Sequence, residues 1–186
     1  MSDTSELLNT NTTNQDKKND SPTILYLVED IEEATVIDFV DILHRTKTSE
    51  RPVYIYINSH GGDTTTSLSL YYLVKNIPTR TVGINIGKVY SGALMPFMAC
   101  DYRIALPHSS FMFHDMRSFY NDYTRAADFA GFADFISKLS NVWRQALVDV
   151  VGNKELVDKW LFQETYLFAE EALRYGIIDE IKTEVV

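Results

Sequence analysis

Residues 53–63 run Val53-Tyr54-Ile55-Tyr56-Ile57-Asn58-Ser59-His60-Gly61-Gly62-Asp63. The first five are apolar or aromatic without a break, which predicts a strand covered on both faces rather than one half in water. The paired glycines close it with a tight turn, and Thr64 to Val74 then suits a helix. Strand, glycine turn and helix in that order form the unit of an α/β layer architecture. The unit recurs downstream: Arg80 to Ile86 reads as a strand, Gly87-Lys88-Val89-Tyr90-Ser91-Gly92-Ala93 repeats the glycine-containing turn, and Ser91 to Ala99 reads as a buried helix.

The same alternation extends outward. Ile24 to Val28 predicts a first strand, and Glu29 to Leu43 has apolar residues at near-helical spacing. Tyr102 to Leu106 and Phe111 to His114 predict two short strands. Tyr123 to Val150 predicts one long helix with an apolar stripe that includes Phe129, Phe132, Phe135, Ile136, Leu139, Trp143 and Leu147. Lys154 to Leu161 and Ala169 to Tyr175 are shorter helices, the second stopped by Gly176, and Ile177 to Ile181 closes as a strand. Asn9 to Ser21 is almost wholly polar and has nothing to offset the entropy of ordering. Residues 1–22 are therefore expected to be a disordered tail and residues 23–186 one domain, as the length of 186 residues suggests.

Composition narrows the function. Apolar residues at 45% and charged residues at 23% describe a chain with a packed core. A formal net charge of -9 has the wrong sign for a nonspecific binder of phosphate backbones and disfavours an anionic membrane surface. Nucleic acid and membrane are thus not expected partners. The one cysteine, Cys100, lies in an apolar stretch, so a buried thiol in a reducing compartment is expected. The first residues lack a basic segment followed by an apolar one, and Val82 to Cys100 is interrupted by Asn85, Lys88, Ser91 and Pro96. The expected location is the cytoplasm. The sequon at Asn11 carries no weight without a secretory route.

Three segments can carry chemistry. The Gly61-Gly62 turn lets backbone N–H groups approach an anion, although a plain strand-to-helix turn capped by Asp63 or Thr64 has the same sequence. Ser91 stands where a helix begins, among amides that could hold a developing negative charge; as a bare motif it also reads as an N-cap. His114 ends an apolar strand and is the best placed of the four histidines to act as a base, His44, His60 and His108 reading as solvated or capping residues. No histidine or cysteine spacing supports a metal site, so neither metal nor cofactor is expected. A base histidine needs a third group to fix its tautomer, and Asp115, Asp122, Asp158 and Glu164 all remain open on sequence.

The blocks Tyr54 to Asp63, Gly87 to Ser91, Phe111 to His114 and Phe168 to Glu180 resemble, in this order, the proteolytic subunit of Clp protease, over roughly Ile24 to Ile181. The resemblance implies a crotonase/ClpP-like α/β fold of repeated β-β-α units with a long projecting handle helix. It further implies a serine endopeptidase that cleaves unfolded proteins or peptides through an acyl-enzyme, inside a homo-oligomeric heptameric ring or stacked rings, with an AAA+ unfoldase as a further partner. Carried over by position, Ser91 resembles the nucleophile, His114 the base and Glu164 the third triad member, with Asp158 as fallback. The amides of Gly62 and Gly92 resemble the oxyanion hole. The chain departs from the family pattern at His60 (Pro in the family), at Val89-Tyr90 (small residues), in the bulky run Asp115 to Tyr120 (a Gly-rich strand) and at Glu164 (Asp). Tyr90 is expected to crowd the site. These departures keep a catalytically inactive ring subunit or adaptor as the alternative, with acyl-CoA chemistry on the same fold as a third reading.

Overall fold

The computed structural model describes residues 22–46, 51–117 and 126–184. The expected tail up to residue 21 and the expected first turn of the long helix at 123–125 lie outside the described residues. In chain order the strands are β1 (Thr23–Leu27), β2 (Val53–Ser59), β3 (Thr81–Tyr90), β4 (Tyr102–Ala105), β5 (Ser110–Phe113), β6 (Thr165–Phe168) and β7 (Glu180–Ile181). The helices are α1 (Thr35–Thr46), α2 (Thr64–Lys75), α3 (Leu94–Ala99), α4 (Ala126–Val151), α5 (Lys154–Gln163) and α6 (Ala169–Arg174), with a 3-10 turn over Ser91–Ala93 leading into α3. The strands form one sheet in the order β1-β2-β3-β4-β7, with β5 on β3 and β6 on β5. Every pairing is parallel except β5 with β6. This is the expected α/β architecture of repeated strand and helix units.

The unbroken apolar character of β2 is explained by two clusters. Val53, Ile55 and Ile57 point into the main core with Phe39, Leu70, Leu94, Phe97, Phe111 and Phe113. Each such side chain contributes on the order of 1.5–3 kcal/mol by leaving water. Tyr54 and Tyr56 point the other way, into a smaller cluster with Val82, Ile84 and Ile104 whose members all lie on strands.

Several features differ from the sequence expectation. Helix α1 starts at Thr35, not Glu29, because Ile31 is held extended against the glycine turn: its N–H donates to Gly61 O at 2.8 Å and its carbonyl accepts from Asp63 N at 2.9 Å. Strand β3 runs past Ile86 to Tyr90 because it changes partner, pairing with β4 over Val82 to Asn85 and with β5 over Lys88 to Tyr90. Fully buried Asn85 secures that fork, donating from Nδ2 to Ser110 O at 2.9 Å and accepting from Gly87 N at 3.0 Å. Strand β6 has no counterpart in the sequence reading. Strand β7 is only two residues long, because Ile177 and Ile178 are tied back to Ala172 O instead.

Helix α2 is capped by Asp63, whose Oδ1 accepts from Thr66 N at 2.7 Å. The hydrogen bonds from the Thr66 amide and side chain hold its carboxyl below the usual carboxylate range, against an opposing contribution from burial. A carboxylate with a depressed folded-state pKa stabilises only while ionised. Asp63→Ala is therefore expected to cost about 1 kcal/mol at pH 7. In urea melts at falling pH, the gap between wild type and variant should narrow as the pH passes below about 4.

Candidate active site

The end of β3 sets the geometry. Tyr90 is still extended, with φ -114° and ψ 145°, and Ser91 then turns into the left-handed region at φ 51°. That conformation costs a non-glycine residue on the order of 1–3 kcal/mol and is held only where its surroundings impose it. Here the turn swings the side chain out of the strand direction and places Ser91 Oγ 2.7 Å from His114 Nε2. Tyr90, not Ser91, is the residue before the 3-10 turn, and no side chain caps it, so the N-cap reading of Ser91 is not what the structure shows.

His114 arrives from the other arm of the fork. Met112 lies beside Tyr90 in the β3–β5 pairing, so the residue two places on emerges next to the turn that carries Ser91. Asp115 N donates to Leu161 O at 3.1 Å and fixes the backbone just beyond it. With the ring proton on Nδ1, Nε2 is the acceptor for the serine hydroxyl. Nδ1 itself is buried and has no hydrogen-bond partner among the described residues.

The two glycines lie against this pair. The bridge between Ile31 and the glycine turn uses Gly61 O and Asp63 N, which turns the intervening Gly62 N–H to the opposite side. Gly62 and Gly92 pack so closely that a Cβ on Gly92 would stand 3.2 Å from Gly62 N. A Cβ on Gly62 would meet Ile31 O at 2.3 Å, so this approach requires glycine. Ser91, Gly92, Gly62 and His114 share a cavity of about 90 Å³ with Thr64, Met116, Arg117 and Trp143.

Glu164 is not joined to the histidine. It ends α5 in a left-handed conformation, φ 51° and ψ 74°; its Oε2 takes the guanidinium of Arg117, and its Oε1 accepts from Tyr166 OH at 3.4 Å. The backbone nevertheless brings the two residues to the same end of the sheet. Phe113 with Thr165 is the last pair of the antiparallel β5–β6 ladder, so His114 and Glu164 each stand one residue beyond its end. The other acids are engaged elsewhere. Asp158 is held by Lys154 Nζ at 2.6 Å and Arg144 Nε at 3.2 Å, the Lys154 contact keeping its carboxyl below the usual range. Asp115 Oδ1 accepts from Ser140 Oγ at 3.0 Å, and Asp122 lies outside the described residues.

Several expectations about neighbouring residues are settled. Tyr90 does not crowd the cavity: its hydroxyl pairs with Ser110 Oγ at 2.8 Å and its ring packs edge-on against Tyr166. His60 Nε2 sits 2.5 Å from Lys88 Nζ, and neither His44, His60 nor His108 lines the cavity. Cys100 is buried, with its thiol pushed up to about 12 by desolvation, as a structural cysteine is. Four cavity residues, Thr64, Met116, Arg117 and Trp143, were not assigned to the site by the sequence reading. Trp143 was one apolar position in the stripe of the long helix, and Arg117 one charge in a bulky run. Among the described residues no group of histidine, cysteine, aspartate and glutamate is placed to hold a metal ion. Nor, among those residues, is any helix long and apolar enough to cross a membrane.

A serine hydroxyl hydrogen-bonded to an imidazole, beside two closely packed glycines, is an arrangement suited to acyl transfer. Comparison with known proteins points the same way. The sequence model of the family described as Clp protease matches residues 12–185. ATP-dependent Clp protease proteolytic subunit 3 of a Synechococcus species is 32% identical over 139 residues, spanning 73% of this chain and 69% of its own. Proteolytic subunit 2 of Prochlorococcus marinus is 33% identical over 138 residues, 73% of this chain and 68% of its own. A mutant of ClpP1 from Listeria monocytogenes superposes with a TM-score of 0.78 at 21% identity, covering 87% of this chain and 91% of that one.

Proposed function

The chain belongs to the Clp protease family, and from that premise we propose that it is a serine endopeptidase acting on unfolded proteins or peptides through Ser91, His114 and Glu164. The observation that carries the reading is the 2.7 Å contact between Ser91 Oγ and His114 Nε2 beside the Gly62 and Gly92 amides. In the first half-reaction Ser91 Oγ bonds to the scissile carbonyl carbon while its proton passes to His114 Nε2. The amides of Gly62 and Gly92 hold the oxyanion, a contribution of about 3 kcal/mol per donor. The carbon–nitrogen bond then breaks as the amine takes the proton from His114, leaving an ester on Ser91. Water, deprotonated by the same imidazole, cleaves that ester and restores the hydroxyl. No metal or cofactor enters this sequence.

Glu164 serves in this scheme as the positioning residue for His114, moving from Arg117 to Nδ1. The place of both residues just beyond the last β5–β6 pair supports that assignment, and in this scheme the contact with Arg117 must be given up before the triad is complete. The same contact favours the second reading, a catalytically inactive ring subunit. The proposal also includes assembly of copies into a ring in the cytoplasm, with an ATP-driven unfoldase as partner. Exposed Phe129, Phe135 and Val142 on α4 support burial of the handle helix against another copy.

The test is digestion of a reduced, carboxymethylated protein by the purified full-length chain, read by mass spectrometry. Internal peptides whose yield grows with time are expected. A folded, ring-sized assembly that leaves the substrate intact would favour the inactive subunit.

A further inference from the structure

Arg117 is the one charged side chain, among the described residues, that lines the cavity of Ser91, Gly62, Gly92 and His114. In a chain of net charge -9 it puts a cation in the wall of the cavity that holds Ser91. Its partner, Glu164, follows the last pair of the β5–β6 ladder at the end where His114 also leaves it, and His114 Nδ1 is buried without a partner among the described residues. Both members of the pair are open to water, Arg117 at 68% and Glu164 at 40% of their side-chain surface. An ion pair so exposed is weak and exchanges readily with another carboxylate. A guanidinium binds any carboxylate in the same forked geometry, so a substrate acid can replace Glu164 without loss of hydrogen bonds.

We propose that Arg117 selects substrates with Asp or Glu at the residue supplying the attacked carbonyl, and that this substrate carboxylate displaces Glu164 from Arg117 and frees it for His114 Nδ1. The inference rests on the serine-peptidase reading above. The acidic residue would thus be recognised and would complete the triad in one exchange: Arg117 keeps a carboxylate throughout, while the buried Nδ1–H gains an acceptor. Arg117 lines the cavity together with Met116 and Trp143, so a side chain of the attacked residue that enters this cavity comes within reach of the guanidinium.

The experiment uses the full-length assembled chain and fluorogenic peptides blocked at both ends, so that terminal carboxylates cannot contribute. They differ only in carrying Glu, Gln or Lys before the scissile bond. For the wild type kcat/KM should be about tenfold higher for Glu than for Gln. In Arg117→Gln the ratio should fall to about one. Hydrolysis of the Gln peptide should itself rise, by about two- to fivefold, because Glu164 is no longer withheld. Arg117→Glu should turn the preference towards Lys. A variant that merely damaged the site would slow all three peptides together. Brisk wild-type hydrolysis with a Glu-to-Gln ratio near one, or a ratio unmoved by Arg117→Gln, overturns this inference alone. Hydrolysis of every peptide no faster than in Ser91→Ala overturns it together with the reading beneath it.

Discussion

Ser91→Ala is expected to reduce hydrolysis of an unfolded substrate by roughly 10⁴-fold or more while leaving the fold intact. The variant removes the atom that the proposed mechanism acylates, and the imidazole and amides that remain cannot form the ester. Stability should fall by no more than about 1 kcal/mol, because alanine tolerates the left-handed conformation at φ 51° about as well as serine and only one side-chain hydrogen bond, to His114, is lost. Urea denaturation of both proteins, run beside the hydrolysis assay, separates loss of chemistry from loss of structure. Cleavage by the variant at wild-type rates would remove Ser91 from the mechanism.

Gly61→Ala is expected to have the second largest effect, although residue 61 contributes no chemical group. At φ +94° an L side chain is strained, by roughly 1–2 kcal/mol. Its Cβ would also stand 2.5 Å from Gly92 N, 2.7 Å from Tyr90 O and 3.0 Å from Ser91 Cβ. All three contacts are with the turn that carries Ser91, and two are with backbone, so the turn must shift rather than a side chain rotate. A displacement of several tenths of an ångström misaligns Ser91 Oγ and an oxyanion donor together. We expect turnover to fall about 100-fold or more, with about 2–4 kcal/mol lost from stability. Peptide hydrolysis and urea melts measure the two; an alanine variant with unaltered kcat would mean that the turn can relax without moving the site.

These two residues show what the sequence made legible. The Gly61-Gly62 and Ser91-Gly92 turns each follow an apolar strand and precede a helix, and a local signal of that kind survives folding because the turn chemistry is its own cause. On the residues alone Ser91 stood at a helix start and His114 at a strand end, and only the family resemblance paired them; the fork of β3 at Asn85 is the reason they meet. Strand β6 was missed because Thr165 to Phe168 lies between two helices and is extended only through its pairing with β5, a partner more than fifty residues earlier by the register Phe113 to Thr165. The extension of β3 through Gly87 and Lys88 has the same non-local cause. Trp143 was hidden for the opposite reason: its helical spacing is that of a core position, and it is one, only 5% exposed, at the point where the core wall becomes the cavity wall. The pairing of Arg117 with Glu164 joins residues 47 positions apart, with no periodicity to announce it.

Activation of Ser91 by His114 is the claim on which the rest depends, and covalent labelling tests it most directly. The assembled full-length chain is treated with a fluorophosphonate probe and its intact mass recorded, with Ser91→Ala and His114→Ala treated in parallel. A single adduct on wild type, mapped to Ser91 and absent from both variants, is the predicted result. A folded, assembled wild type that takes no adduct, or an adduct at Ser91 that persists at the same rate in His114→Ala, would contradict it.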